Sequence, residues 1–413
     1  MPWLQALLAN FSPGSATIAP VIIGRGSRRR RNRNSGAGWL LLLVLGALIA
    51  GVYLLVQSRL GNGLAFLPAA ATPAPLPTAT RSVDSFVSEA EAIRNSGDFR
   101  KAINIYEQAL RRRPNDAALQ FQIVRLMVFS GQAAKAEPRA ARAAQTEPGS
   151  ALLKAALCLA QDWLDKVKEA VATCREAVAL DPTNSYVQAY YAEALADAGN
   201  YRDALAAARL AIDLDPVNAD AHRNLGYAYE LATNYSQAVV YYQRALDINA
   251  NLPHVLLAMG RTYAALGQAS KAIFYFDQAI LIDPLYAEAW ERKGATHIAL
   301  LESEKAVEAL NKSIEADPAR YTAFARRGEA NFYVRLYERA IADYTRAITT
   351  AQAISQTITP NDYIFLGFSY FNVSADQCPQ AIEAWRKALA MAPESEYVVE
   401  YVDSGLRKCK VKK

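Results

Sequence analysis

Residues 225–245 read LGYAYELATNYSQAVVYYQRA, and residues 259–279, 34 positions on, read MGRTYAALGQASKAIFYFDQA. Both segments place a small residue second, a tyrosine three positions later, then an alanine, an aromatic and a closing alanine. Carried in both directions, the frame puts an alanine every 34 residues, at Ala102, Ala136, Ala170, Ala204, Ala238, Ala272, Ala306 and Ala340. Seven residues later stand Ala109, Ala143, Ala177, Ala211, Ala245, Ala279, Ser313 and Ala347. Twelve residues before the first alanine sit Ala90, Val124, Cys158, Ala192, Gly226, Gly260, Gly294 and Gly328. Twelve after it come Pro114, Pro148, Pro182, Pro216, Ala250, Pro284, Pro318 and Gln352. A fixed period of this length indicates a repeat solenoid rather than one globular core. Small residues at fixed offsets let two backbones approach closely, and proline ends one helix so that the next can begin. Apolar residues between these marks fall at helical spacing, which predicts two antiparallel helices per unit.

The pattern resembles the tetratricopeptide repeat family, whose signature runs W-x2-L-G-x2-Y, A-x3-F, A, P. The fullest matches are Leu225-Gly226-Tyr229-Ala238-Tyr242-Ala245, Met259-Gly260-Tyr263-Ala272-Phe276-Ala279-Pro284 and Trp290-Gly294-Ala306-Pro318. The resemblance covers residues 83–395 and implies an all-α, right-handed superhelical solenoid of helix-turn-helix repeats. A ninth unit runs Leu366-Gly367-Tyr370-Ala381-Trp385-Ala388-Pro393, with a Gly367–Ala381 gap two residues longer than elsewhere and an insert at 355–359 before it. Units two and three depart from the signature, with Gln120 and Lys154 for the first aromatic and Met127 and Gln161 for the tyrosine. Residues 396–413 read as a capping helix and tail, since the end of a stack needs a polar cover. Tyr397, Val398, Tyr401 and Val402 are expected to face inward.

The first 82 residues differ in kind. They hold no Asp, Glu or Lys and eight arginines, so residues 83–413 carry 45 − 8 = 37 basic against 40 acidic residues, a net of −3. The overall charge of +5 is therefore a property of the first 82 residues, chiefly the basic tail, 1–38, and argues against nucleic-acid binding by the solenoid. Trp39–Val56 has no charged residue, and as a helix would run about 27 Å, close to the thickness of a bilayer core. It is predicted to be one N-terminal transmembrane helix, with a buried core helix and a cleaved signal peptide as the alternatives. Arg25, Arg28, Arg29, Arg30, Arg31 and Arg33 precede the span, and the positive-inside rule then puts the N-terminus in the cytoplasm and the repeats outside it. Residues 57–82 form a linker rich in Pro, Ala and Thr, in which Pro68–Thr80 favours an extended spacer.

The four cysteines suit that compartment. Cys158 and Cys174 are equidistant from the predicted turn of unit three, and Cys378 and Cys409 from the hairpin before the cap. Residues equidistant from an antiparallel turn lie opposite one another, so disulfides Cys158–Cys174 and Cys378–Cys409 are expected. The other reading of each pair is small, buried, apolar thiols. Neither the cysteine spacing nor the three histidines suits a metal site, and no cofactor is expected.

No P-loop, dinucleotide fingerprint, G-x-S-x-G or H-E-x-x-H occurs, and the protein reads as a binding protein rather than an enzyme. The family resemblance implies binding on the concave face lined by the first helix of each unit. In this frame that face presents Arg223, Asn224 and Tyr227 of unit five, His254 and Arg261 of unit six, Glu291 and Arg292 of unit seven, and Arg326 and Tyr333 of unit eight. The arginines either receive carboxylates of a ligand or pair with Glu230, Glu288, Glu291 and Glu329 of the repeats themselves. The expected function is a membrane-anchored scaffold for protein or peptide partners in an envelope or secretion assembly. The alternatives are a polysaccharide-binding or export co-factor, and an organelle-surface receptor with cytosolic repeats.

Overall fold

The computed structural model describes residues 37–59 and 81–410, with side chains of the first segment at 45–56 and 58. The arginine run and the Pro/Ala/Thr spacer at 68–80 lie outside the described residues. The chain divides into two units, 1–78 and 79–413. In the first, α1 (Ala37–Arg59) occupies the place of the expected membrane span. Its apolar side chains from Leu45 to Val56 are 49–67% exposed. Those side chains cover about 18 Å of helix, and among the described residues no helix is long and apolar enough to cross a membrane.

The second unit is a stack of antiparallel helix pairs with no strand among the described residues. The pairs are α2 (Val83–Asn95) with α3 (Phe99–Leu110), α4 (Ala117–Phe129) with α5 (Ala133–Thr146), and α6 (Ala151–Asp162) with α7 (Val167–Leu180). Next come α8 (Ser185–Asp197) with α9 (Tyr201–Leu214), α10 (Ala219–Leu231) with α11 (Tyr235–Ile248), and α12 (Pro253–Ala265) with α13 (Ala269–Ile282). The last are α14 (Ala287–Ala299) with α15 (Ser303–Ala316), α16 (Tyr321–Tyr333) with α17 (Tyr337–Ala353), and α18 (Pro360–Val373) with α19 (Cys378–Met391), before the cap α20 (Glu396–Lys408). First helices begin on caps the sequence supplies: Asp116, Ser150, Asn184 and Asn218 each accept a hydrogen bond from a backbone N–H of the first turn.

The turns within the first eight pairs repeat one conformation. Gly97, Gly131, Asp165, Gly199, Thr233, Gly267, Leu301 and Arg335, 34 residues apart, all have φ between 57° and 91°. Four units thus hold a side chain in the left-handed region, and Thr233 is β-branched, for which that region is least favourable. Thr233→Gly is expected to stabilise the repeats by about 0.5–1 kcal/mol, the relief of αL strain exceeding the entropy glycine adds to the unfolded chain. Urea unfolding of the two proteins checks it; an unchanged or lower midpoint would show the turn to be unstrained.

The recurring alanines are fully buried, Ala102 through Ala340 all at 0% exposure. The small residue of each first helix faces position i+16 on the second. A Cβ on Gly260 would stand 2.3 Å from the ring of Phe276, and one on Gly294 2.7 Å from Leu310. In unit nine a 3-10 turn, Ala375–Gln377, takes up the two extra residues of the connection, so Gly367 meets Trp385 at i+18 instead. The cap rests on the other side of that indole through Gly405. Val398 and Val402 are buried, at 3% and 0%, but Tyr397 and Tyr401 are both 43% exposed, contrary to the expected inward stripe of four. The two pairs are i,i+4 stripes on neighbouring faces of the helix, and only one stripe can lie on Trp385.

From α4 onward the first helices of successive units pack on one another, whereas the second helices have no comparable contact among the described residues. The first helices therefore line the inner side of the curve. The curve is tight enough that units one and two return onto units five to seven. Arg125 of α4 donates to both carboxylate oxygens of Asp220 in α10, each at 2.6 Å. Asn251 donates its side-chain amide to the Asn95 carbonyl at 3.1 Å, and Arg100 reaches Asp283 at 3.5 Å. His254 stacks on Phe129 with centroids 4.0 Å apart. Part of the concave face expected in units five to seven is thus a packed seam.

Candidate functional site

The nine residues expected on the concave face separate into four that are buried, three that line a cleft, and Arg326 and Tyr333, which lie outside that cleft. Arg223, Asn224, His254 and Glu291 are buried, at 5%, 0%, 3% and 6% exposure, and are structural where the sequence reading made them ligand contacts. Arg223 donates to Glu193 and to Asn224, whose amide donates to the Ala189 carbonyl at 2.8 Å. Glu291 accepts from Arg320 and, at 2.8 Å, from Thr322. They are covered because the returning units and the neighbouring helices fill the inside of the curve.

His254 lies between Phe129 and Phe99 with neither ring nitrogen bonded within the protein. Burial drives its pKa well below the usual histidine value, and Arg223 and Arg125 add to this against an opposing pull from Asp220. The folded protein then holds His254 neutral while the unfolded chain protonates near pH 6.5. Its contribution is complete above pH 6.5 and is lost as pH falls below it, at up to about 1.4 kcal/mol per pH unit. Asp162 titrates in the opposite sense. Burial, then Glu193 and Asp197, push its carboxyl well above the carboxylate range, so its contribution is lost as pH rises. His254→Phe isolates the histidine: its stability relative to wild type should improve steadily between pH 6.5 and 5, measured by urea unfolding, and a constant difference would refute the assignment.

Tyr227, Arg261 and Arg292 belong to the second group. They line a cleft of 630 Å³ on the inner side of α10, α12 and α14, with Leu231, Phe276 and Leu300 as apolar walls and Ala264, Gly267, Ala295 and Ala299 as a small-residue surface. Tyr227 donates to Asp197 at 2.5 Å. Arg261 touches Glu230 at 3.5 Å, an ion pair across adjacent units, and its buried Nε has no acceptor within the protein. Burial opposes the Arg261 charge, but Glu230 and Glu288 outweigh it and hold the guanidinium protonated. Arg292 pairs along its own helix with Glu288 at 3.4 Å and stays 44% exposed. Arg326 pairs with Glu329 at 3.5 Å in the same helix, and Tyr333 is 46% exposed beside it. Self-pairing thus accounts for the arginine strip, and of its arginines Arg261 and Arg292 also line the cleft.

The structure contains both cysteine bridges, Cys158–Cys174 with Cα atoms 5.4 Å apart and Cys378–Cys409 with 5.8 Å. Cys158 and Cys174 hold the i,i+16 positions that carry glycine and an aromatic in other units, where the helices approach most closely. The residues that sequence reasoning missed are Arg125, Glu193 and Asp220, buried charges of the inner lattice. One signal was available: Arg125 interrupts the apolar run Ile123-Val124-Arg125-Leu126-Met127-Val128. Among the described residues no group of three or more His, Cys, Asp or Glu is placed to hold a metal ion.

The pairing, the small-residue columns and the inner face define an all-α helical repeat solenoid. Family models described as Tetratricopeptide repeat match residues 95–158 and 231–291, 192–253, and 287–320. The chain contains tetratricopeptide repeats. Over 113 residues it is 34% identical to cellulose synthase 2 operon protein C of Komagataeibacter xylinus, a match spanning 27% of this chain and 9% of that protein. Among solved structures it is similar to the APC/C hetero-tetramer Cut9–Hcn1, at TM-score 0.55 and 16% identity over 78% of this chain and 56% of that one. PilF of Pseudomonas aeruginosa aligns at TM-score 0.47 and 17% identity over 54% of this chain and 98% of that one. At 16% identity the likeness to Cut9–Hcn1 is one of fold.

Proposed function

We propose that the protein is a repeat scaffold that seats an extended segment of a partner protein in the cleft of units five to seven. The observation that carries this is the cleft itself, where small side chains leave room for a backbone and the side chains of Tyr227, Arg261 and Arg292 converge on the same wall. Apolar walls beside a few convergent polar groups suit an oriented peptide. The test is a photo-crosslinking residue at Ala295, in the cleft, against one at Leu281, which is 74% exposed and absent from its lining. Partner adducts should form from position 295 alone and fall about tenfold in Arg261→Ala. Equal adducts from both positions, or indifference to the arginine, would refute the cleft as the site.

The scaffold is anchored by α1, with the N-terminus in the cytoplasm and the repeats outside it. Supporting this are the uncharged run Trp39–Val56, its helical backbone, the six arginines before it and the paired cysteines. Protease and a membrane-impermeant thiol reagent on sealed cells test the topology. Digested repeats whose thiols react only after reduction support it; protected repeats with free thiols place them on the cytosolic side, as an organelle-surface receptor would have them.

A second reading, a role in polysaccharide binding or export, is favoured by the similarity to the cellulose synthase 2 operon protein. Glycan binding by the full chain, with no peptide held in the cleft, is the result that would put it first.

A further inference from the structure

The C-terminal first helices carry a feature that the cleft does not use. Phe332 and Tyr333 end α16, Phe365 and Phe368 lie on α18, and Tyr397 and Tyr401 open the cap α20. The rings form two touching groups on three successive helices. Phe365 lies 5.1 Å from Phe332 and 6.0 Å from Tyr333, while Tyr401 lies 6.5 Å from Phe368 and 4.6 Å from Tyr397. The phenylalanines are half-buried, and the rings left exposed are the three tyrosines, at 43–46%. Phe365 and Phe368 stand one turn apart on α18, so the two groups adjoin along that helix.

The charges that touch this ledge are balanced and engaged. Arg326 pairs with Glu329. Asp362 accepts from the Thr359 backbone and hydroxyl, each at 2.8 Å. Lys408 lies over the Phe368 ring at 5.0 Å. Arg326, Glu329, Asp362 and Lys408 thus each have a contact within the protein, which disfavours their use as a row of free charges for a charged polymer. The surface that remains consists of flat apolar rings tipped with hydroxyls and bordered by a paired guanidinium and carboxylate. That chemistry matches a pyranose ring, whose C–H face is apolar and whose rim bears hydroxyls.

We propose that the ledge formed by Tyr333, Tyr397 and Tyr401 is a binding site for an uncharged polysaccharide chain, its sugar rings lying on the tyrosines and its hydroxyls bonded at the rim by Arg326 and Glu329. The inference gives the second reading above a site and a ligand class, and it is independent of the cleft.

The experiment titrates the full-length protein in detergent with cellohexaose, maltohexaose, hexagalacturonate and decaproline, read by calorimetry and intrinsic fluorescence. At least one neutral hexasaccharide should bind more tightly than the charged hexamer and the peptide. Tyr333→Ala and Tyr401→Ala should each weaken it about tenfold, Tyr401→Phe much less, and Arg261→Ala not at all. Unchanged thermal melting of these surface variants guards against misfolding. Glycan binding that survives the tyrosine changes but is lost in Arg261→Ala would overturn the ledge and leave the polysaccharide reading standing. No binding of either neutral hexasaccharide would overturn both, and a preference for decaproline would reassign the ledge to a peptide.

Discussion

Arg125→Ala is expected to destabilise the repeat unit by about 3–5 kcal/mol, because it leaves the Asp220 carboxylate buried without its counter-charge. Arg125 is 6% exposed and Asp220 1%, and the two are 95 residues apart in the chain. Burial pushes the Asp220 pKa up, but Arg125 outweighs it and holds the carboxyl at about 2. The pair's contribution is therefore present above the unfolded carboxylate value near 3.9 and is lost as pH falls toward 2. The hydroxyl of Tyr190, which also donates to Asp220 at 2.6 Å, cannot replace a cation. Hydrogen exchange should locate the damage. Protection should fall in α2–α4 and α10–α12, on the two sides of the seam, and persist in α18–α20, since a repeat array transmits stability chiefly between neighbours. Replacing both partners, Arg125→Met with Asp220→Leu, should recover most of the loss, because a matched apolar pair carries no desolvation penalty. A loss below about 1 kcal/mol in the single variant would mean that the seam is wet or open in solution.

Gly97→Ala is expected to cost about 2–4 kcal/mol, and Gly131→Ala, at the same point of the next unit, about half as much. Both glycines have positive φ, 91° and 77°, so each substitution brings αL strain. They differ in what stands beyond. A Cβ at Gly97 would meet the Ile282 side chain at 2.4 Å and the Asn251 carbonyl oxygen at 2.8 Å, whereas one at Gly131 meets nothing within 4 Å. The Asn251 contact is with backbone, which cannot yield as a side-chain tip can. Denaturant midpoints of the two variants measured side by side separate the local term from the tertiary one. Equal losses would remove the contact between units one and six from the account.

These variants mark where sequence reasoning succeeded and where it stopped. The alanine columns, the glycine that faces an aromatic and the proline that ends a helix are local or nearest-neighbour requirements. They recur every 34 residues, and repetition made them legible. The positive-φ turn recurs with the same period but could not be read, because Asp165, Thr233, Leu301 and Arg335 conceal it as often as glycine reveals it. Half of the cap was read correctly: Val398 and Val402 turn inward, and the tyrosines beside them form the ledge instead. The candidate site was legible only in part. Placing Arg261 and Arg292 on the inner face of first helices followed from the frame, and both line the cleft. Arg223 and His254 obey the same frame and are buried, Arg223 against Glu193 and Trp163 of neighbouring units and His254 against Phe99 and Phe129, which arrive from units one and two.

The amino-acid sequence by itself determined the repeat, the helix pairs, the small-residue interfaces within each pair and the charge contrast between the first 82 residues and the rest. Those properties depend on residues at most one unit apart, where chain connectivity already brings the partners together. Tertiary structure alone decided how tightly the stack curves. Small rotations between neighbouring units add along the array, and no single unit records their sum. That sum brings Arg125 to Asp220 and Gly97 to Asn251, closes the inner face over the first units, and leaves it open as a cleft at Arg261 and a ledge at Tyr401.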